Sequence, residues 1–210
     1  MQECKAWSRW RYDLKAICVP ALMCMALISV PRAVAADMPL IGPQTPPIPI
    51  WNQYEFRFGA FAHAVGFLGP GFEQGSVDLN AEFLLPRLPL LQDSFWSFVV
   101  PRPQIGGMLN LDHKTSYAFA GVAWTLEPLP NWFFEPMFGA AFHNGELNAP
   151  PGSGRLSLGC SPLFHTGATF GYRLSSNWDV MLTWDHISNG DLCRSNLGLN
   201  DFGVKIGYSF

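Results

Sequence analysis

From about residue 54 onward, apolar residues alternate with small or polar ones in stretches of roughly ten, separated by Gly, Pro, Asn and Ser. Alternation with a period of two sends successive side chains to opposite faces of a strand. About ten residues is also the length a tilted strand needs to cross a hydrocarbon layer. The pattern predicts eight strands, over 54–65, 75–85, 96–109, 115–127, 132–143, 163–174, 178–188 and 201–210. Turns are expected at Gly69-Pro70-Gly71, Leu129-Pro130-Asn131 and Ser175-Ser176-Asn177. Pro101 and Pro103 in the third strand and Pro136 in the fifth would each delete a ladder hydrogen bond unless they sit at a bulge or rim. In the seventh strand Val180, Leu182, Trp184, His186 and Ser188 share one face, and Met181, Thr183, Asp185 and Ile187 share the other. In the eighth, Asn200, Phe202, Val204, Ile206, Tyr208 and Phe210 lie opposite Gly203, Lys205, Gly207 and Ser209. A greasy face running to a terminal aromatic residue is the pattern of a lipid-facing strand, although a soluble sandwich alternates as well.

The first residues narrow the choice. Lys5, Arg9, Arg11 and Lys15 precede an apolar run over 16–30 and then Ala33-Val34-Ala35, the three regions of a secretory signal peptide. The apolar run is shorter than the ~20 residues of a spanning helix. The expected organisation is a signal peptide over 1–35, a Pro-rich leader over 36–53 and a barrel over 54–210. Past the signal no apolar run reaches helical spanning length, while aromatic residues make up 14% of the chain and charged residues another 14%. Those features together predict an all-β protein, an eight-stranded antiparallel transmembrane β-barrel of the bacterial outer membrane. A net charge of -3 with no Lys/Arg cluster outside the signal argues against a nucleic-acid partner. An eight-stranded barrel is filled by side chains and leaves no aqueous channel, so function is expected on the wall or the loops. Glu55, Arg57, Glu82, Glu127 and Glu135 fall within strands and are expected to form a polar interior network.

With both termini periplasmic, the segments 144–162 and 189–200 become external loops and the turns near 130 and 176 periplasmic ones. Segment 87–94 is longer than this scheme expects. His186, Ser188 and Asn200 then converge near the outer rim, on the greasy face. Residues i and i+2 of a strand stand about 6–7 Å apart on one side, so bending at the strand end brings His186 to the Ser188 hydroxyl. Such a pair is a general base and a nucleophile for an ester carbonyl. Asn200, in phase across the hairpin, is placed to orient the ring, and backbone N–H groups around Asn189 and Gly190 are candidates for the oxyanion site. Spacing alone equally admits an interfacial histidine and a loop-start serine with no chemistry. Outside the signal the cysteines are Cys160 and Cys193, an even pair that in an oxidising compartment can close a disulfide or stay as two thiols.

The stretch Asp185-His186-Ile187-Ser188-Asn189-Gly190, followed by Asn196-Leu197-Gly198-Leu199-Asn200 and an aromatic-ended strand, resembles the signature of the lipid A 3-O-deacylase (PagL-type) family. The resemblance covers about the last thirty residues. It implies an outer-membrane barrel with a serine esterase site on its lipid-facing wall, acting on lipopolysaccharide and releasing the acyl chain at position 3 of lipid A. It further implies His186 as base, Ser188 as nucleophile and Asn189 and Gly190 beside it. The family's acid falls at Asn200, which carries no carboxylate. A neutral amide fixes a histidine tautomer but stabilises the imidazolium less than an acid does. The expectation is therefore lower activity than in an acid-bearing relative, or a substitute acid at Asp191 or Asp201, although strand parity turns Asp201 inward.

No cofactor or metal is expected: His63, His113, His143 and His165 lack metal-ligand spacing and read as interior or rim residues. Two other readings remain open, a non-catalytic small barrel with a structural or adhesion role and a soluble barrel enclosing a lipid. An aromatic-rich wall would also admit a homodimer, though nothing in the sequence selects one.

Overall fold

A computed structural model describes residues 52–66, 72–90 and 99–210. The expected signal peptide and nearly all of the Pro-rich leader lie outside the described residues. Nine strand segments follow one another: β1 (Glu55–Ala62), β2 (Val77–Leu84), β3 (Arg102–Asn110), β4 (Tyr117–Ala123), β5 (Leu126–Leu129), β6 (Trp132–His143), β7 (Leu163–Arg173), β8 (Trp178–Ser188) and β9 (Leu199–Ser209). Each pairs antiparallel with its neighbour in the wall. β1 pairs with β9 and β4 with β6, so the sheet closes on itself. Closure removes the open edges that lipid would otherwise face.

The wall has eight strands because β4 and β5 together make one of them. The register of β4 on β6 ends at Ala123↔Met137 and resumes in phase at Leu126↔Phe134, which sets Pro136 opposite Trp124. Trp124 N–H donates to Pro136 O at 3.0 Å. The reciprocal bond is missing because proline has no N–H, and the ladder lapses for two residues. Thus the expected fourth strand, 115–127, appears as two pieces. Pro101 precedes β3 and Pro103 is its second residue, where a lost donor costs least.

The two faces of the wall differ in chemistry. Phe58, Ile105, Leu109, Phe142, Val204 and Ile206 point outward and are exposed, while Glu55, Arg57, Arg102, Glu135 and Lys205 point inward and are fully buried. Polar-inside and apolar-outside is the inverse of a soluble protein and suits a barrel whose solvent is lipid. No helix among the described residues is long and apolar enough to cross a membrane; the crossing segments here are strands.

At the end of the barrel carrying the short turns, Arg57 binds Glu55 at 2.5 Å and Glu135 at 2.6 Å, Arg102 binds Glu55 at 2.8 Å, and Lys205 binds Glu82 at 2.6 Å. Glu127 does not join this network. It lies exposed in β5 and pairs with Arg173 at 2.7 Å, because the short strand ends at the rim. At the end carrying the long loops, Phe61, Met108, Tyr117, Phe119, Ile187 and Leu199 form an apolar plug with Leu156 and Leu158 of loop 144–162. The interior is therefore filled from end to end by salt bridges and apolar side chains, as expected for eight strands.

Candidate active site

Strands β8 and β9 carry the candidate residues, and their register decides which of them meet. His186 lies directly opposite Asn200, with Asp185 opposite Asp201 on one side and Ile187 opposite Leu199 on the other. Since neighbouring residues of a strand face opposite ways, His186 and Asn200 share the outer face, and the two flanking pairs turn inward. His186 Nδ1 and Asn200 Oδ1 are 2.9 Å apart. The same oxygen accepts the indole N–H of Trp184 at 3.2 Å. The Trp184 ring also stacks on the imidazole, with centroids 5.8 Å apart and planes inclined by 22°. Trp184 was not among the residues expected to matter here. Parity placed it on the right face, but nothing in the local sequence showed that its nitrogen would reach across the hairpin.

Ser188 ends β8 on this same outer face, half-buried, with Phe164 as its cross-strand neighbour. Its hydroxyl is not hydrogen-bonded to His186 among the described residues. Uncomplexed sites often show this looser arrangement, and the bond tightens when substrate is bound.

Beyond Ser188 the chain turns sharply. Gly190 and Asp191 both have left-handed backbones, φ 60° and 62°, and Leu192 N–H returns to Asn189 O at 3.2 Å. Two positive φ values in succession are those of a type I′ turn. The two residues expected to line an oxyanion site fare differently. Asn189 N–H donates to Asn196 Oδ1 at 2.9 Å, and its buried side-chain amide donates to Leu158 O at 2.9 Å. Asn189 therefore ties loop 144–162 to loop 189–198. Gly190 N–H has no partner among the described residues, which makes it the donor next to Ser188 that an incoming oxygen could use.

Two more contacts hold these loops together. Cys160 and Cys193 are joined as a disulfide with Cα atoms 6.2 Å apart, and Leu197 N–H donates to Ser157 O at 3.2 Å. Beside the imidazole, Gly198 adopts φ 59°, and a Cβ there would lie 3.0 Å from His186 Cε1. Glycine thus lets the loop pass close against the ring without covering it. An apolar recess of about 260 Å³, lined by Ala140, Leu163, Phe164, Leu192 and the disulfide, opens beside this turn.

The acids considered as substitutes lie elsewhere. Asp201 faces the interior, where it accepts Ala64 N–H at 3.0 Å and the Tyr117 hydroxyl at 3.1 Å. Asp191 is exposed and accepts the Asn196 amide at 2.9 Å. Neither touches His186, and Asp185, adjacent in sequence, points inward to His165 Nε2 at 2.5 Å.

The histidines were expected to be scattered, and for His63 the fold brings more together than the sequence suggested. Its Nδ1 lies 2.7 Å from Asp78 and 3.4 Å from Asp201, and potential ligand atoms of the three fall within 4.8 Å of one another. Each is already engaged by protein: Asn110 donates to Asp78 at 2.7 Å, Glu73 meets His63 Nε2 at 3.2 Å, and Asp201 has the two partners named above. Burial would push the Glu73 carboxyl up, but hydrogen bonds from His63 and from the N–H groups of Leu156 and Thr115 hold it down at about 2. The cluster is a satisfied interior network that tethers the loops to the barrel.

No curated protein sequence matches the chain. The crystal structure of the outer membrane enzyme PagL superposes with a TM-score of 0.57 and 15% identity, covering 74% of this chain and 99% of that one. Neisserial surface protein A superposes with a TM-score of 0.46 and 11% identity, covering 76% and 97%. The sequence model of the lipid A 3-O-deacylase (PagL) family matches residues 78–209. That span runs from the second residue of β2 to the end of β9 and takes in the whole of the site, and the chain belongs to the lipid A 3-O-deacylase family.

Proposed function

We propose that the protein is a serine esterase of the bacterial outer membrane that hydrolyses an ester-linked acyl chain of lipid A, at the 3-position, with Ser188 as nucleophile and His186 as base. The observation that carries this reading is the placement of His186, Asn200 and Ser188 on the outer, apolar face of a barrel from this family. An amphiphile in the adjoining leaflet would meet that face without leaving the membrane.

Each group has a role that balances. His186 Nε2 takes the Ser188 proton as Oγ attacks the ester carbonyl, and the developing oxyanion is met by Gly190 N–H. The tetrahedral intermediate expels the sugar alcohol, which takes the proton from His186, leaving an acyl-serine. Water, deprotonated by His186, then releases the fatty acid and restores the hydroxyl. The apolar recess beside Phe164 and Leu192 suits the hydrocarbon tail. No metal or cofactor enters these steps.

Expression in a host with hexa-acylated lipid A tests the proposal by mass spectrometry. The expected result is a new lipid A species lighter by one 3-linked hydroxyacyl group. Lipid A of unchanged mass, with the barrel folded in the membrane, would exclude the esterase reading in favour of a non-catalytic barrel.

Asn200 sets a second expectation. An amide orients the imidazole but adds no charge when the ring becomes positive during acyl transfer. Asn200→Glu, at a position only 4% exposed, supplies that charge. It is expected to raise kcat by about tenfold with KM unchanged, measured as fatty acid released from lipid A in mixed micelles. An unchanged or lower kcat would mean that the missing charge is not what limits the rate.

A further inference from the structure

We propose that Trp184 is a positioning residue of this site: by donating its indole N–H to Asn200 Oδ1, it fixes the amide so that His186 carries its proton on Nδ1 and presents a bare Nε2 to Ser188. The inference rests on the esterase reading above and adds a residue to it.

A carboxylate in the third position would offer two equivalent acceptors, and either would hold Nδ1–H. An amide offers an oxygen on one side and an NH₂ on the other, and a half-turn exchanges them. Turned the wrong way, Asn200 would donate to Nδ1. That ring nitrogen would become the acceptor and the proton would move to Nε2, the atom that must be empty to receive the Ser188 proton. An unconstrained asparagine at this position therefore divides the enzyme between competent and incompetent tautomers.

Trp184 selects one of the two orientations. Indole nitrogen is a donor and never an acceptor, so an atom of Asn200 within 3.2 Å of it must be the oxygen. With that oxygen also 2.9 Å from His186 Nδ1, the proton between them belongs to the ring. The reverse amide would set two donors against each other at the indole, on a lipid-facing wall with little water to relieve them. Stacking of the indole on the imidazole limits tilt of both rings, and Gly198 leaves space at the Cε1 edge of the imidazole. The tryptophan is thus tied to asparagine at the third position, which needs a fixed orientation as a carboxylate does not.

The test uses the full mature protein in detergent micelles, with lipid A as substrate and histidine ring nitrogens labelled with ¹⁵N. The His186 signals are assigned by their loss in His186→Gln. In the wild type the proton should be on Nδ1; a proton on Nε2 would overturn the proposal, and this measurement needs no turnover. Trp184→Phe keeps an aromatic ring and deletes only the donor. It is expected to lower kcat about tenfold, leave KM within about twofold and give a mixture of tautomers. In the Asn200→Glu background the same change should cost less than about twofold, because a carboxylate accepts from either side. An equal loss in both backgrounds would make Trp184 a packing residue, and a wild-type kcat in Trp184→Phe would remove it from the site. Failure of the esterase reading looks different: wild type and Ser188→Ala would then leave lipid A equally untouched, whatever stands at 184.

Discussion

Ser188→Ala is expected to eliminate acyl release from lipid A, by at least about a thousandfold, while the barrel folds as before. The hydroxyl supplies the atom that becomes acylated, and the other hydroxyl facing His186, that of Thr166 directly opposite it on β7, is a more hindered secondary alcohol. The cost to stability should be within about 0.5 kcal/mol. Ser188 ends β8, is half-buried and keeps its backbone pairing with Phe164 whatever its side chain. His186→Ala should lose as much activity, because an unassisted serine hydroxyl is a poor nucleophile near neutral pH. It also deletes the ring that stacks on Trp184 and leaves Asn200 held by the indole. Residues that act as one unit are not additive, so the double variant should be no slower than either single one. Mass spectrometry of lipid A gives the activity, and heat-modifiable migration shows whether the barrel has formed. Residual turnover near wild type in either single variant would take that residue out of the mechanism.

The parts of this site that depend on strand parity were legible in the sequence, and those that depend on contacts between distant loops were not. On β8 and β9 the two faces differ so sharply in polarity that a slip of one residue would bury Leu182 and Val204 and expose Asp185 and Lys205 to lipid. That contrast fixed the common face of His186, Ser188 and Asn200, and it correctly turned Asp201 inward. Pro136 advertised a defect in the ladder but not its result, a wall strand divided into β4 and β5. Glu127 looked like a fifth interior charge because the rim of a barrel has no sequence marker. Asn189 appeared free to serve an oxyanion. Its N–H and amide are instead spent on Asn196 and Leu158, and the second of these partners lies 31 residues away. His63 meets Asp201 across an even longer interval, through a pairing that exists only once β9 closes on β1. Period-two patterns report what faces lipid. They say nothing of which inward or loop groups will find each other.

Arg57→Met should destabilise the barrel by about 3–5 kcal/mol, the penalty typical of breaking a buried ion pair from one side. Arg57 is fully buried and binds Glu55 and Glu135 directly, with Glu82 at 3.5 Å. Methionine fills much of the volume but leaves Glu135, among the described residues, with the Thr125 hydroxyl as its remaining hydrogen bond and with Arg102 at 3.9 Å. Glu55 would keep Arg102, and Glu82 would keep Lys205, so Glu135 is the group left uncompensated. Neutralising it should therefore restore much of the loss: Arg57→Met with Glu135→Gln is expected to be more stable than Arg57→Met alone. Reversible urea unfolding from detergent micelles measures both. A penalty below about 1 kcal/mol would mean that water reaches the hub and carries the charge, contrary to an interior filled by side chains. Molecules of Arg57→Met that do fold should still release acyl chains at the wild-type kcat, because Arg57 faces inward among the strand ends bearing the short turns and Ser188 faces outward beside the long loops. Stability and catalysis are thereby assigned to opposite faces of the same wall, and the pair of variants separates them.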